Sequence, residues 1–222
     1  RLLKQVLLLD PERGFVRNML GLCFLYQGEA AKASAQFDRL LREPNAPAVW
    51  FGNAAVAAHR LEDYGRAEQL FKEAIRRDEG DSASFLSGLA DVYIARQDYR
   101  GARRLLEEAI AADGRVDFED LRYFTKLLEV GILQRDVAAV SRELQRIQGI
   151  AEDDEQRQYL AWKLATLAVD LTQMAAFEDA SRIAAVALNL QPHDRDYDSL
   201  QEVLLHLAGR ALGEAARVVE QR

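Results

Sequence analysis

The chain has few side chains whose type and spacing could support catalysis or metal binding. Its 222 residues include three histidines, His59, His193 and His206, which lie far apart and lack metal-ligand spacing to cysteines or carboxylates. The acidic run 152–155 could attract a cation, but carboxylates within one solvated helical turn rarely converge on an ion. We therefore expect no metal site and no cofactor, and histidines that are structural or solvated.

Nucleophilic chemistry is equally poorly represented. The single cysteine, Cys23, lies in an apolar run without a basic neighbour that could lower its pKa, so we expect a small buried hydrophobic side chain there. Phosphate-binding glycine loops, the Gly-x-Ser-x-Gly elbow and the His-Glu-x-x-His pattern are all missing from the sequence. These observations predict a protein that is not an enzyme.

Composition restricts the class of partner. The formal net charge is −7, and an acidic chain does not attract the phosphate backbone of nucleic acids. The sequence contains no apolar run approaching the ~20 residues of a membrane-spanning helix, so we expect no membrane insertion. With 49% hydrophobic residues and only 4 prolines and 13 glycines, the chain is expected to be mostly regular structure with a sizeable core.

An internal repeat determines the architecture that would position any functional residue. The segment LEDYGRAEQLFKEAIRRD, starting at Leu61, is closely repeated by QDYRGARRLLEEAIAAD, starting at Gln97. Tyr64 aligns with Tyr99, a shift of 35 residues. Repetition at this period is typical of stacked helical hairpins rather than of a single globular bundle.

Three positions in each unit, separated by 12 and then 7 residues, carry mostly small side chains; we call them the seam positions. They are Gly21, Ala33 and Leu40; Ala55, Ala67 and Ala74; Ala90, Ala102 and Ala109; and Ala168, Ala180 and Ala187. Small residues there let the two helices of a hairpin pack closely. Leu128, Val140 and Ile147 replace them in the fourth unit, which predicts a wider hairpin there. A larger residue four positions after the middle seam residue (Phe37, Phe71) is expected to face the next hairpin.

These features resemble the tetratricopeptide repeat, a helix–turn–helix unit of 34 residues. Leu20-Gly21 and Leu89-Ala90 stand where that family has its Leu-Gly pair, and Ala33 with Phe37 matches its Ala-xxx-Phe. The resemblance implies an all-α fold, a right-handed superhelix or solenoid of about five to six helical hairpins. We predict one array over 1–222: a truncated repeat (1–13), repeats over 14–47, 48–82, 83–116, 117–150 and 151–194, and a capping partial repeat (195–222).

The resemblance also implies a concave wall built from the first helix of each hairpin. Its N-terminal third is apolar, and we predict that it binds a protein or peptide segment. The predicted partner-binding residues are Phe15, Asn18, Leu22, Leu25, Val49, Asn53, Val56 and His59. The alternative is that these residues pack against repeats that precede the chain. Trp50 and Trp162 are expected to be packing residues, although Trp162 falls at a wall position.

One specialised ligand of such arrays is not expected. Asn18 and Asn53 stand where some members of the family clamp a C-terminal carboxylate, but no Lys or Arg accompanies them. Without a cation, a buried carboxylate would lack charge-assisted hydrogen bonds.

The predicted function is a non-catalytic scaffold for protein–protein interaction. The alternatives are a docking or regulatory region of a larger enzyme or regulator, a component of bacterial envelope or polysaccharide-export assembly, and self-association. The chain begins inside a repeat, so we expect a fragment of a longer protein. The compartment stays open: a single cysteine slightly favours the cytoplasm, but the periplasm fits as well.

Overall fold

The computed structural model describes residues 14–78, 80, 82–113, 121–150, 153–173 and 177–190, and every regular element in these ranges is an α-helix. The ten helices are α1 (Gly14–Tyr26), α2 (Ala30–Leu40), α3 (Ala48–Arg60), α4 (Tyr64–Arg77), α5 (Ala83–Ala95), α6 (Tyr99–Asp113), α7 (Leu121–Leu133), α8 (Val137–Ile150), α9 (Asp154–Gln173) and α10 (Phe177–Asn189). The predicted partial repeats at 1–13 and 195–222 lie outside the described residues.

Consecutive helices pack in pairs to form five hairpins, each lying inside one of the five predicted full repeats. In the first four hairpins, three residues join the two helices, which is a typical length for an antiparallel helical hairpin. The chain divides into two compact units, Arg1–Arg115 and Val116–Arg222. The first contains the hairpins α1–α2, α3–α4 and α5–α6, and the second contains α7–α8 and α9–α10.

The seam positions are buried in all five hairpins, as predicted. A Cβ atom added to Gly21 would lie 2.5 Å from Cε1 of Phe37, so the phenyl ring of α2 packs directly on the α1 backbone. The bulky seam of the fourth unit, Leu128, Val140 and Ile147, is buried as well. The expected widening of that hairpin remains a prediction.

Neighbouring hairpins of the first unit pack through aromatic rings set against glycines. A Cβ atom added to Gly88 of α5 would lie 2.5 Å from two ring atoms of Phe71 in α4, so Phe71 contacts the next hairpin as predicted. Phe85 of α5 packs on Gly52 of α3 in the same way, at 2.5 Å from its hypothetical Cβ. The first contact joins α4 to α5 and the second joins α5 to α3, so both connect the second and third hairpins at close range.

The hairpin turns repeat the same backbone conformation. In the first four hairpins, the second residue after the first helix adopts the left-handed conformation, with φ of 75° at Gly28, 61° at Glu62, 62° at Gln97 and 55° at Arg135. The next residue donates its amide back to the helix, as Asp98 N does to Tyr93 O at 2.9 Å. This arrangement satisfies carbonyl groups that a helix end leaves without partners.

Aspartates begin the second helices of three hairpins. The carboxylates of Asp63, Asp98 and Asp136 each accept a hydrogen bond from the amide three residues later, at 2.9 to 3.1 Å. Such caps satisfy one of the amides that the first helical turn leaves unpaired. Glu29 occupies the same place before α2 but makes no side-chain cap.

A carboxylate of α4 connects the second and third hairpins. Glu68 accepts hydrogen bonds from Lys72 Nζ (2.7 Å), Tyr93 Oη (3.0 Å) and Arg96 Nη1 (2.7 Å). The hydrogen bond from Lys72 is the main reason why the pKa of Glu68 lies below its ordinary value; Tyr93 and Arg96 act in the same direction, and partial burial opposes them. The cluster stabilises one hairpin against the next.

Cys23 corrects one expectation, because its side chain is exposed. It follows the buried Gly21 by two residues, which at about 100° per residue places it on the opposite side of α1. An apolar run in the sequence does not by itself show which member of the run faces the core.

Candidate partner-binding site

The predicted wall positions differ in exposure according to their place along the first helix. The position six residues before the first seam residue is exposed in every hairpin. This set, which we call the outer positions, consists of Phe15, Val49, Ser84, Arg122 and Trp162. The position one residue after the first seam residue is partly or fully exposed, and the members of this second set, the middle positions, are Leu22, Val56, Asp91, Glu129 and Val169. The outer and middle positions therefore form the open part of each wall.

In the first unit, the open wall of α1 and α3 is apolar. Phe15 is 72% exposed and Val49 is 48% exposed, which is unusual for side chains of this size and character. Leu22 and Val56 are partly buried and pack against the core cluster formed by α1, α2 and α3. We call these four residues the N-terminal apolar groove.

The remaining predicted site residues make internal contacts. Asn53 Nδ2 donates a hydrogen bond to Asn18 Oδ1 at 2.9 Å, which joins α3 to α1, and Asn18 is buried. Leu25 is buried, and its carbonyl oxygen accepts a hydrogen bond from Arg60 Nη1. These contacts bring the two helices together beneath the groove.

His59 lies at the end of α3 against the first residue of α4. Its imidazole packs edge-to-face on the ring of Tyr64, with 5.6 Å between the ring centroids. Its Nε2 atom is buried and has no hydrogen-bond partner within the part of the chain that the structure describes. Of the eight predicted site residues, Phe15, Leu22, Val49 and Val56 therefore present apolar surface, and the others hold the helices in place.

A cavity in the second unit was not singled out by the sequence. It has a volume of about 250 Å³ and lies between α7 and α9. Its lining residues are Thr125, Lys126, Glu129, Trp162, Lys163, Leu164, Thr166 and Leu167. The repeat register had placed Thr125, Glu129 and Trp162 on the wall, but only the packing of α7 and α9 shows that they line one cavity.

Trp162 is 52% exposed, so the expectation that it is a packing residue is wrong. It occupies an outer position, which is exposed in the other four hairpins as well. Trp50, in contrast, is partly buried and packs against two hydrophobic clusters of the first unit, as expected.

The described ranges contain neither a metal-binding cluster nor a membrane-spanning helix. No group of three histidine, cysteine or acidic side chains lies close enough together there to hold a metal ion. None of the described helices is long and apolar enough to cross a membrane. His193 and His206 lie outside the described residues.

Comparison with known families and structures identifies the repeat. Residues 58–122 match the profile of the tetratricopeptide repeat family. This segment includes α4 to α6, the part of the chain in which the internal repetition is clearest. A search of curated proteins finds no significant match.

Solved structures with the same fold share little sequence with this chain. A tetratricopeptide repeat protein from Parabacteroides merdae is 15% identical, with 91% of this chain and 75% of the other aligned at a TM-score of 0.64. PilW, a type IV pilus biogenesis factor, is 15% identical and has a TM-score of 0.60; the alignment covers 66% of each chain, so this chain matches somewhat less than two thirds of PilW. YrrB, a tetratricopeptide repeat protein with an unusual peptide-binding site, is 17% identical over 93% of this chain and 97% of YrrB, with a TM-score of 0.52.

At these identities the likeness shows the fold alone, and the fold agrees with the family match and with the seam positions. The predicted resemblance is confirmed: residues 58–122 match the tetratricopeptide repeat family, and the described residues form all-α helical hairpins, the fold of solved tetratricopeptide repeat proteins.

Proposed function

We propose that this chain is a non-catalytic scaffold that holds an apolar or amphipathic segment of a protein partner in the N-terminal apolar groove. Arrays of helical hairpins generally act as interaction scaffolds, because their stacked first helices form an extended concave binding surface. The proposal adds where on this chain the partner binds and what kind of surface it meets.

The exposure of Phe15 and Val49 carries the proposal. Large apolar side chains on an exposed surface lose the free energy that burial would provide, at about 25 cal/mol per Å² of apolar area. Here two of them lie at equivalent positions of adjacent hairpins, on the same helices as the partly exposed Leu22 and Val56. Exposed apolar surface of this kind favours a protein-binding site, and an aromatic side chain such as Phe15 is a common anchor.

The Asn18–Asn53 hydrogen bond also supports the proposal, because it fixes the two helices that carry the groove. The bond is 2.9 Å long and joins α1 to α3. A groove whose walls are held in place loses less conformational entropy when a ligand binds. YrrB, which shares the fold, is itself described as having a peptide-binding site.

The test uses a peptide selected against the purified chain from a random library and measured by calorimetry. In the double variant Phe15→Ser and Val49→Ser, the Kd of that peptide is expected to rise at least about tenfold, because two apolar contacts are lost. Both positions are exposed, so the substitutions leave the core intact. The matched control is Leu61→Ser: Leu61 is 45% exposed but lies in the turn after α3, away from the groove.

An unchanged Kd in the double variant would contradict the groove proposal, provided that circular dichroism shows an intact helical fold. An equal loss of affinity in Leu61→Ser would also contradict it, because the binding would then depend on general surface hydrophobicity. Light scattering at the same concentrations distinguishes partner binding from self-association of the chain.

The alternatives predicted from the sequence concern the setting of this surface. A docking region of a larger enzyme or regulator, and a component of envelope or polysaccharide-export assembly, would each use the same groove for a different partner. The full-length reading frame distinguishes them, since a catalytic domain would favour the first and a secretion signal the second.

A further inference from the structure

We propose that the cavity between α7 and α9 is a second binding site, which accepts an acidic segment of a protein partner that also carries an apolar side chain. The proposal rests on the scaffold function but does not depend on the N-terminal apolar groove, because all the lining residues lie in the second unit.

The shape of the cavity fits a side chain of a peptide. Its volume of about 250 Å³ is below the roughly 300–1,000 Å³ of sites that enclose a whole small ligand. Leu164 is fully buried beneath it, and the half-exposed indole of Trp162 lines it. An apolar side chain that enters here would cover the indole and exclude water from it.

The charges at the cavity favour an acidic partner. Two ammonium groups, of Lys126 and Lys163, and one carboxylate, of Glu129, belong to the lining. This is a local excess of positive charge on a chain whose net charge is −7. A carboxylate that approaches the cavity meets this excess of opposite charge.

Lys163 is the residue most directly placed to bind that carboxylate. Its Nζ atom lies 5.2 Å from the ring centroid of Trp162 and 5.6 Å from that of Tyr159. A cation–π contact at an exposed site is weak, and an ammonium has three donors, so Lys163 can bind a carboxylate while it stays near the rings. The two rings also restrict the lysine, which reduces the entropy lost on binding.

A cationic ligand is disfavoured by the same geometry. Aromatic rings often bind cations, but here the ammonium of Lys163 already lies over both rings. A second cation would have to displace it and would be repelled by Lys126, which lines the same cavity. The aromatic pair therefore orients the lysine of this chain and does not form a cage for a foreign cation.

The experiment measures fluorescence anisotropy of three labelled ten-residue peptides with blocked termini, added to the full chain. One alternates glutamate and leucine, the second alternates lysine and leucine, and the third alternates glutamate and serine. We expect the glutamate–leucine peptide to bind most tightly, because it alone supplies both the carboxylate and the apolar side chain.

Variants then locate the binding. Lys163→Glu is expected to weaken binding of the glutamate–leucine peptide at least about tenfold, and Lys163→Arg to retain it, because arginine keeps the charge and stacks on aromatic rings. The matched control is Arg142→Glu, an equal change of charge at an exposed residue of α8 that does not line the cavity. It is expected to change the Kd less than threefold.

Three results would overturn the proposal: equal binding of the glutamate–leucine and lysine–leucine peptides, equal weakening by Arg142→Glu and Lys163→Glu, or unchanged binding in Lys163→Glu. The double variant Phe15→Ser and Val49→Ser distinguishes failure of the cavity proposal from failure of the proposal that the N-terminal apolar groove binds a partner. If that variant alone loses the glutamate–leucine peptide, the cavity proposal fails while the groove proposal stands.

Discussion

Asn53 of α3 donates a hydrogen bond to Asn18 of α1, with 2.9 Å between Nδ2 and Oδ1. The two residues lie in adjacent hairpins, 35 positions apart, and Asn18 is only 7% exposed. The pair therefore joins adjacent hairpins in a partly buried environment, where a hydrogen bond is stronger than in water and a missing partner costs more for the buried group. Residues that the sequence assigned to ligand binding thus have a structural role as well.

We expect a double-mutant cycle to show this coupling. Asn53→Ala should lower the free energy of unfolding by about 1–2 kcal/mol, because it leaves the buried side-chain oxygen of Asn18 without its partner. Asn18→Ala should cost less, since the Asn53 amide that loses its partner is partly exposed and can bond water. The coupling energy, measured by urea denaturation of the two single variants and the double variant, should be about 1 kcal/mol. Strictly additive effects would show that the hydrogen bond contributes no stability.

The left-handed turn residues offer a second test. A residue with a Cβ atom is strained in the left-handed conformation. Of the four residues that adopt it, Glu62, Gln97 and Arg135 carry this strain, and Gly28 does not. Gly28→Ala should therefore lower the unfolding free energy by about 1 kcal/mol, although a Cβ there would meet no neighbour within 4 Å. Gln97→Gly should raise it by roughly 0.5 kcal/mol, because release of strain exceeds the added chain entropy.

The control for the turn experiment is Gly80→Ala. Gly80 is exposed, its Cβ would also meet nothing within 4 Å, and its φ is not positive. Thermal or urea denaturation should show no loss of stability for this variant. If Gly80→Ala and Gly28→Ala were equally destabilising, backbone conformation would not be the cause.

Much of the fold could be predicted from the sequence because each hairpin repeats the same local rules. Seam positions such as Ala67 and Ala102 must be small and buried wherever two helices approach closely, so their period is visible in the sequence. The helix ends are also local, since a left-handed residue and a capping aspartate follow each other in the turns at Glu62-Asp63 and Gln97-Asp98.

The candidate sites were only partly predictable because they depend on how hairpins pack on one another. The register placed Phe15 and Leu25 on the same wall, yet Phe15 is exposed and Leu25 is buried. Nothing in the periodicity of α1 distinguishes the two, since Leu25 is buried in a cluster to which α2 and α3 also contribute. The cavity beside Trp162 was missed for the same reason: its two walls come from α7 and α9, which belong to successive hairpins.

Acidification should destabilise the first unit through two glutamates of α4. Hydrogen bonds from Arg76 and Arg77 lower the pKa of Glu73 from 4.5 to about 2, and the hydrogen bond from Lys72 is the main cause that lowers the pKa of Glu68. Because the pKa of each glutamate is lower in the folded state than in the unfolded state, the unfolded state binds more protons below pH 4.5. The stabilisation is complete above that pH and is lost as the pH falls toward about 2.

The measurement is the free energy of unfolding by urea at several pH values between 2 and 6. We expect Glu73→Gln and Glu68→Gln each to reduce the slope of stability with pH below pH 4.5. The slope should also decrease in ~1 M salt, since these side chains are partly exposed and their charges are screened. An unchanged slope in both variants would assign the acid sensitivity to other carboxylates.

The packing of Phe71 on Gly88 leads to the sharpest prediction about contact between hairpins. Gly88→Ala places a methyl group 2.5 Å from two atoms of the Phe71 ring, and that ring is buried and cannot move away freely. Overpacking of this kind costs about 1–3 kcal/mol, which exceeds the roughly 0.5–1 kcal/mol that alanine gains over glycine within a helix. The control is Gly65→Ala in α4, where a Cβ meets nothing within 4 Å and only the helical gain applies. We therefore expect opposite signs for the two substitutions in urea denaturation, with Gly65→Ala stabilising. If Gly88→Ala also stabilised the chain, α4 and α5 would be less tightly packed than the structure shows.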